Sequence, residues 1–147
     1  MRRNRVGLIL LALGCAEPTA SSPRPAAPTI VGVGQQQNSY SINAADGVVY
    51  VRLARVRGED GEPIRAFMQR MFETADSADA RRLVIDLRSI SGGDARLLVP
   101  LIKGILARDR FVQNGGLSLV VGPHSVSPGQ NAATLLQRYA HPTFVRN

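Results

Sequence analysis

A single cysteine, a single lysine and no tryptophan in 147 residues narrow what this chain can be. One thiol, Cys15, can close no intramolecular disulfide and build no cysteine-rich metal site. Aromatic residues are 5% of the chain, and no basic run is interleaved with rings, so there is little to stack against bases and nucleic-acid binding is set aside. The formal charge of +7 gives it no support, because Arg2, Arg3 and Arg5 crowd the first positions and the remainder, about +4, is dispersed. The apolar run from Val6 to Leu13 falls well short of the roughly 20 residues that span a bilayer. No internal repeat is visible.

What is present begins with MRRNRVGLILLALGC: basic residues, an apolar run, then Gly14 and Cys15. That order is an export signal. LALGC resembles the bacterial lipobox, in which a small residue precedes a cysteine that becomes the lipidated N-terminus; Ala12 stands where leucine is more usual. The expectation is therefore a signal peptide over 1–14, a lipid anchor on Cys15, and an exported protein held at the membrane on its periplasmic or cell-surface side. Residues 15–29, rich in Ala, Pro and Ser, read as a semi-rigid tether. Residues 30–147 form one domain, and 44% hydrophobic against 20% charged residues is composition enough for a core.

Within that domain the periodicity alternates. VVYVRLARV, from Val48, is rich in β-branched and aromatic residues and predicts a strand, with a shorter one around Ser39 to Ile42. Ile64, Phe67, Met68, Met71, Phe72 and Ala75 follow at helical spacing. RRLVIDLR reads as a buried parallel strand. Leu97, Leu98, Leu101, Ile102, Ile105 and Leu106 mark a second helix, with Pro100 near its start or kinking it, and GLSLVVG marks the next strand. A last helix, from about Ser127 to Ala140, presents Ala132, Leu135, Leu136, Tyr139 and Ala140, and TFVRN begins another strand. The expected class is α/β: alternating β-α units and a mainly parallel sheet covered by helices.

Ligands in such sheets bind beyond the carboxyl ends of the strands, where the loops SISGGD and PHSVS fall. Gly92 and Gly93 read either as a tight turn capped by Asp94 or as bare N–H groups able to hold an oxyanion. Ser127, Pro128 and Gln130 spell a capping box with its first-turn proline, and a serine in that position is also placed as a nucleophile in the field of a helix N-terminus. His124 shares the loop and is the candidate general base. Lys103 and His141 read as surface residues, and Asp86 beside Arg88 as a structural ion pair.

These residues carry a resemblance. VIDLRSISGGD resembles the VIDLRxNxGG segment of the tail-specific, or C-terminal processing, serine proteases, and LVVGPHSVSPGQNAATLL resembles their G-x-x-T-F-S-A-A-x-N segment, with Ser127 on the nucleophile. The resemblance runs from about Val48 onward. It implies a ClpP/crotonase-like fold, peptide-bond hydrolysis through a Ser127 acyl-enzyme, an oxyanion hole at Gly92 and Gly93, a polypeptide substrate, and neither metal nor cofactor. An acyl-CoA enzyme of the same superfamily is disfavoured, since export removes it from the CoA pool. Ser89 replaces the commoner asparagine, and Pro128 lacks the N–H that would be one oxyanion donor. The family's usual base, a lysine some two dozen residues after the serine, has no counterpart before Asn147, so the domain is expected to be C-terminally incomplete. The alternative is a lipoprotein module on the same fold that binds peptides or proteins without cutting them.

Overall fold

The computed structural model describes residues 29–31, 37–59, 61–123, 125 and 127–146, with side chains from 37 onward. The order is β1 (Thr29–Val31), β2 (Ser39–Asn43), β3 (Val48–Arg52), α1 (Ile64–Ser77), β4 (Arg82–Asp86), a 3₁₀ turn (Ala95–Leu98), α2 (Val99–Leu106), α3 (Asp109–Val112), β5 (Leu117–Val121), α4 (Ser127–Ala140) and β6 (Thr143–Arg146). The strands form one sheet in chain order. From β3 to β6 neighbours run parallel, as the β-α alternation requires. The expectation of a mainly parallel sheet holds for that half alone, because β1, β2 and β3 form an antiparallel meander and the sheet is mixed. β2 lies where a short strand was expected, and β1 falls at the join between the expected tether and domain.

Each crossover is long enough to carry a helix, and the helices share one face of the sheet. Register aligns Val49, Leu83 and Leu117 in one row and Val51, Ile85 and Leu119 in the next, all buried. Their alternate neighbours, Tyr50, Val84 and Ser118, are half-buried on the opposite face. α1, α2 and α4 pack side by side in that order on the buried rows. The whole predicted stripe of α1, from Ile64 to Ala75, is in the core, where full burial of each large apolar side chain contributes about 1.5–3 kcal/mol. Tyr40 of β2 joins it, edge-on to Phe67 with centroids 5.7 Å apart and its hydroxyl 3.2 Å from Thr74 Oγ1.

Pro100 falls in the first turn of α2, where its missing N–H has no helical partner to lose, so it starts the helix rather than kinking it. In the Leu97–Leu106 stripe, Leu98, Leu101, Ile102 and Ile105 are buried, while Leu97 and Leu106 at its ends are exposed. α4 departs further from its predicted face. Ala132, Leu136 and Ala140 are buried, but Leu135 is 42% and Tyr139 52% exposed. The seat of the helix is set by Gly129, Ala132, Leu136 and Ala140, whose small residues let it come close to the 3₁₀ turn, α2 and Ile90; Leu135 and Tyr139 fall on one flank of that stripe. Among the described residues no helix is long and apolar enough to cross a membrane.

Candidate functional site

β3, β4 and β5 are parallel neighbours, so the segments leaving them meet at one end of the sheet. The loop after β4 is bound to the segment after β3. Leu53 N–H donates to Asp86 O (3.1 Å), Ser91 N–H to Ala54 O (2.9 Å), Ser91 Oγ to the same carbonyl (3.1 Å) and Val56 N–H to Gly92 O (3.0 Å). Gly92 and Gly93 have φ of 131° and 122°, a backbone that L side chains rarely adopt. Gly93 also needs to be bare, because a Cβ there would lie 2.3 Å from Val56 O. Asp94 then caps the 3₁₀ turn by accepting from Arg96 N–H (2.9 Å), as the turn reading predicted. Among the described residues neither the Gly92 nor the Gly93 N–H has a backbone acceptor.

The loop after β5 is fastened to the same place. Ser125, 8% exposed, donates its hydroxyl to Leu87 O (3.0 Å) and accepts from Gly122 N–H (3.1 Å). Gly122 lies against Arg88, and Gly129, in the first turn of α4, lies against Ile90, where a Cβ would come within 2.7 Å of Cγ2. Ser127 opens α4 and is exposed. Gln130 does not complete a capping box: its amide reaches back to donate to Ser125 O (2.9 Å). Ser125, which sequence reasoning passed over, therefore ties the loop to the exit of β4. The signal was its place two residues before Ser127, at the strand exit, where the chain has to turn.

Beneath this loop sits Asp86, 0% exposed. It accepts from Arg88 through the backbone N–H (3.0 Å), Nε (3.0 Å) and NH2 (2.9 Å), from Tyr50 Oη, and from Arg52 Nε (3.4 Å). Desolvation pushes its carboxyl upward, but the hydrogen bonds of Arg88 and Tyr50 and the Arg88 charge outweigh it and hold the group at about 2. Burial, then the bond to Asp86, raises the Tyr50 hydroxyl. Both carboxylate oxygens of Asp86 accept from several donors, so near neutral pH it is an anion that holds β3 and β4 together, in keeping with a structural ion pair.

A cleft of about 360 Å³ opens beside the glycine turn, lined by Arg55, Arg57, Ser91, Gly92 and Gly93. Ser127 is not among its described lining residues. Lys103 is exposed on α2, and His141 is exposed with φ 46° just past the last turn of α4, roughly 20 Å of helix away from Ser127. His124 and Cys15 lie outside the described residues. The structure thus brings the Gly92–Gly93 turn and the head of α4 to one end of adjacent strands, and leaves Lys103 and His141 elsewhere. Arg55 and Arg57 were missed by sequence reasoning; the legible signal was a pair of arginines either side of Val56 where the strand pattern fades. Compared with known proteins, the chain matches no family model, no curated protein and no solved structure.

Proposed function

We propose that this chain is a serine-peptidase-like domain of the tail-specific type that binds extended polypeptide and has little hydrolytic power, carried on an exported lipoprotein anchored through Cys15. The observation that carries the reading is the Gly92–Gly93 turn, which lines a cleft beyond the carboxyl end of β4 and whose N–H groups have no backbone acceptor among the described residues, next to the strand whose helix begins at Ser127. Bare backbone donors beside a strand end are suited to holding a peptide carbonyl. Weak hydrolysis follows from the chemistry near Ser127. Pro128 offers no N–H, and loss of one oxyanion donor costs about 10²–10³ in rate. Ser127 also lacks a described partner to take its proton, and a general base contributes typically 10²–10⁴.

A fluorophosphonate probe on the purified full chain tests this. The expected result is no labelling above that of a Ser127→Ala variant, with both proteins binding peptide equally. Stoichiometric labelling that Ser127→Ala abolishes would make the chain a working serine hydrolase, the second reading, which the exposed position of Ser127 at a helix head favours. Loss of that labelling in His124→Ala would name the base.

A further inference from the structure

The end of the sheet opposite the glycine turn carries a second cleft, of about 430 Å³, lined by Asp79, Arg81, Arg82, Arg110, Gln113 and Asn114. Two turns build it: the one between α1 and β4, where Asp79 has φ 46°, and the one between α3 and β5, where Asn114 has φ 54°. Both are fixed before any ligand arrives. The N–H groups of Arg81 and Arg82 donate to Gly47 O (2.8 and 3.1 Å), Gly116 N–H donates to Gln113 O (3.0 Å), and Leu83 N–H to Gly116 O (2.7 Å). Gly116 has to be bare, because a Cβ there would lie 2.0 Å from Arg110 O.

The side chains on this frame are mostly donors. Arg82 is exposed and has no ion pair among the described residues. Arg81 meets Asp79 at 3.7 Å with the two side chains 80% and 79% exposed, a pair that water holds only loosely. Arg110 gives one nitrogen to Asp76, which also takes Arg108, while its Nε has no acceptor among the described residues. Three guanidinium groups against one carboxylate favour an anion, and the planar forks of arginine fit a phosphate. Asp79 leaves room for a cationic group beside it.

Strand direction says which phosphate can reach it. β1 and β3 both run antiparallel to β2, so β1 starts at the end of the sheet where β4 and β5 start. Register puts Thr29, Ile42, Val49, Leu83 and Leu117 in one row, directly after Arg82 and Gly116 in the chain, with Thr29 three strand spacings, roughly 14 Å, from Leu83. The chain that carries Cys15 therefore joins the sheet at the end that holds the cleft. A lipid on Cys15 would bring this end to the bilayer, where the local concentration of headgroups makes even a weak contact populated.

We propose that this cleft takes the phosphate of a membrane phospholipid headgroup, with Arg81 and Arg82 as its ligands, and so holds the anchored domain with its glycine turn facing away from the bilayer. The inference rests on the Cys15 anchor proposed above. The test uses the full chain expressed with its export signal, whose intact mass shows whether Cys15 carries lipid. Amide hydrogen exchange of the purified protein is followed in three settings: vesicles of equal parts phosphatidylcholine and phosphatidylglycerol, maltoside micelles, and the same micelles with inorganic phosphate.

Segments 78–83 and 110–117 should exchange at least about threefold more slowly in vesicles than in micelles, and segment 89–94 at the other end should not change. Arg81→Gln/Arg82→Gln, two exposed changes, should abolish the slowing. Arg65→Gln/Arg96→Gln removes the same charge from exposed positions at the opposite end, in the first turn of α1 and after β4, and should keep it. Slowing by inorganic phosphate alone, to the same extent, would overturn the headgroup as the source. Slowing that survives Arg81→Gln/Arg82→Gln, or that falls on segment 89–94 instead, overturns the cleft. Lipid on Cys15 without any slowing overturns the cleft while the anchor stands. A product without lipid overturns the anchor, and the same vesicle comparison still decides the cleft.

Discussion

Asp86 shows how much one residue can be asked to do. Its charge is buried and survives because three neighbours donate to it, so removing it leaves Arg88, Arg52 and Tyr50 without their acceptor. Asp86→Asn should cost about 2–4 kcal/mol at neutral pH, measured by urea unfolding. The same group predicts acid behaviour. Its folded value of about 2 lies below the ordinary 3.8, so its contribution is complete above about pH 4 and is lost as pH falls through about 2. Asp76 adds to the fall in the same window, since hydrogen bonds from Arg108 and Arg110 hold it at about 2 as well, though its half-exposed position makes it the smaller share. The urea midpoint of wild type should therefore drop between pH 4 and pH 2, and the drop should be shallower in Asp86→Asn. Parallel profiles for the two proteins would mean that Asp86 is not the titrating anchor. The sequence signalled the Asp86–Arg88 pair by adjacency; Tyr50 and Arg52 joined it only because β3 and β4 align in register.

At the scale of an element, α4 separates periodicity from packing. The spacing of Ala132, Leu135, Leu136 and Tyr139 correctly announced a helix, and its bounds follow. It could not say which arc of an apolar stripe wider than the contact would be covered. Leu136 is 0% exposed and Leu135 is on the flank, so Leu136→Ala should cost about 2–5 kcal/mol and Leu135→Ala less than about 1. Thermal unfolding of the two variants measures the difference; equal losses would mean the helix sits with another face to the sheet. α1 offers the contrast. Its stripe was legible in full because α2 packs against its side and Tyr40 of β2 against Phe67 and Thr74, and every apolar position on the stripe joins the common core.

For the whole molecule, the helices cover one face of a mixed sheet, and the candidate site lies at the end where three parallel strands exit. The lipid anchor proposed at Cys15 governs where that site is displayed. Cys15→Ala should release the protein from the membrane fraction or leave it unprocessed; a variant that still matures at residue 15 and partitions into detergent would rule the anchor out. The alternation of β and α units, the α1 core and the Gly92–Gly93 turn were determined by the sequence alone, because each is a local consequence of side-chain period or of a backbone that only glycine tolerates. Tertiary structure alone decided that the first strands pair antiparallel, that Ser125 ties the loop after β5 to Leu87, and that Arg55 and Arg57 share a cleft with a glycine turn more than thirty residues away in the chain. The physical reason is common to all three: strand pairing and loop contact join residues distant in the chain, and no local propensity records which distant carbonyl or side chain will be there to meet them.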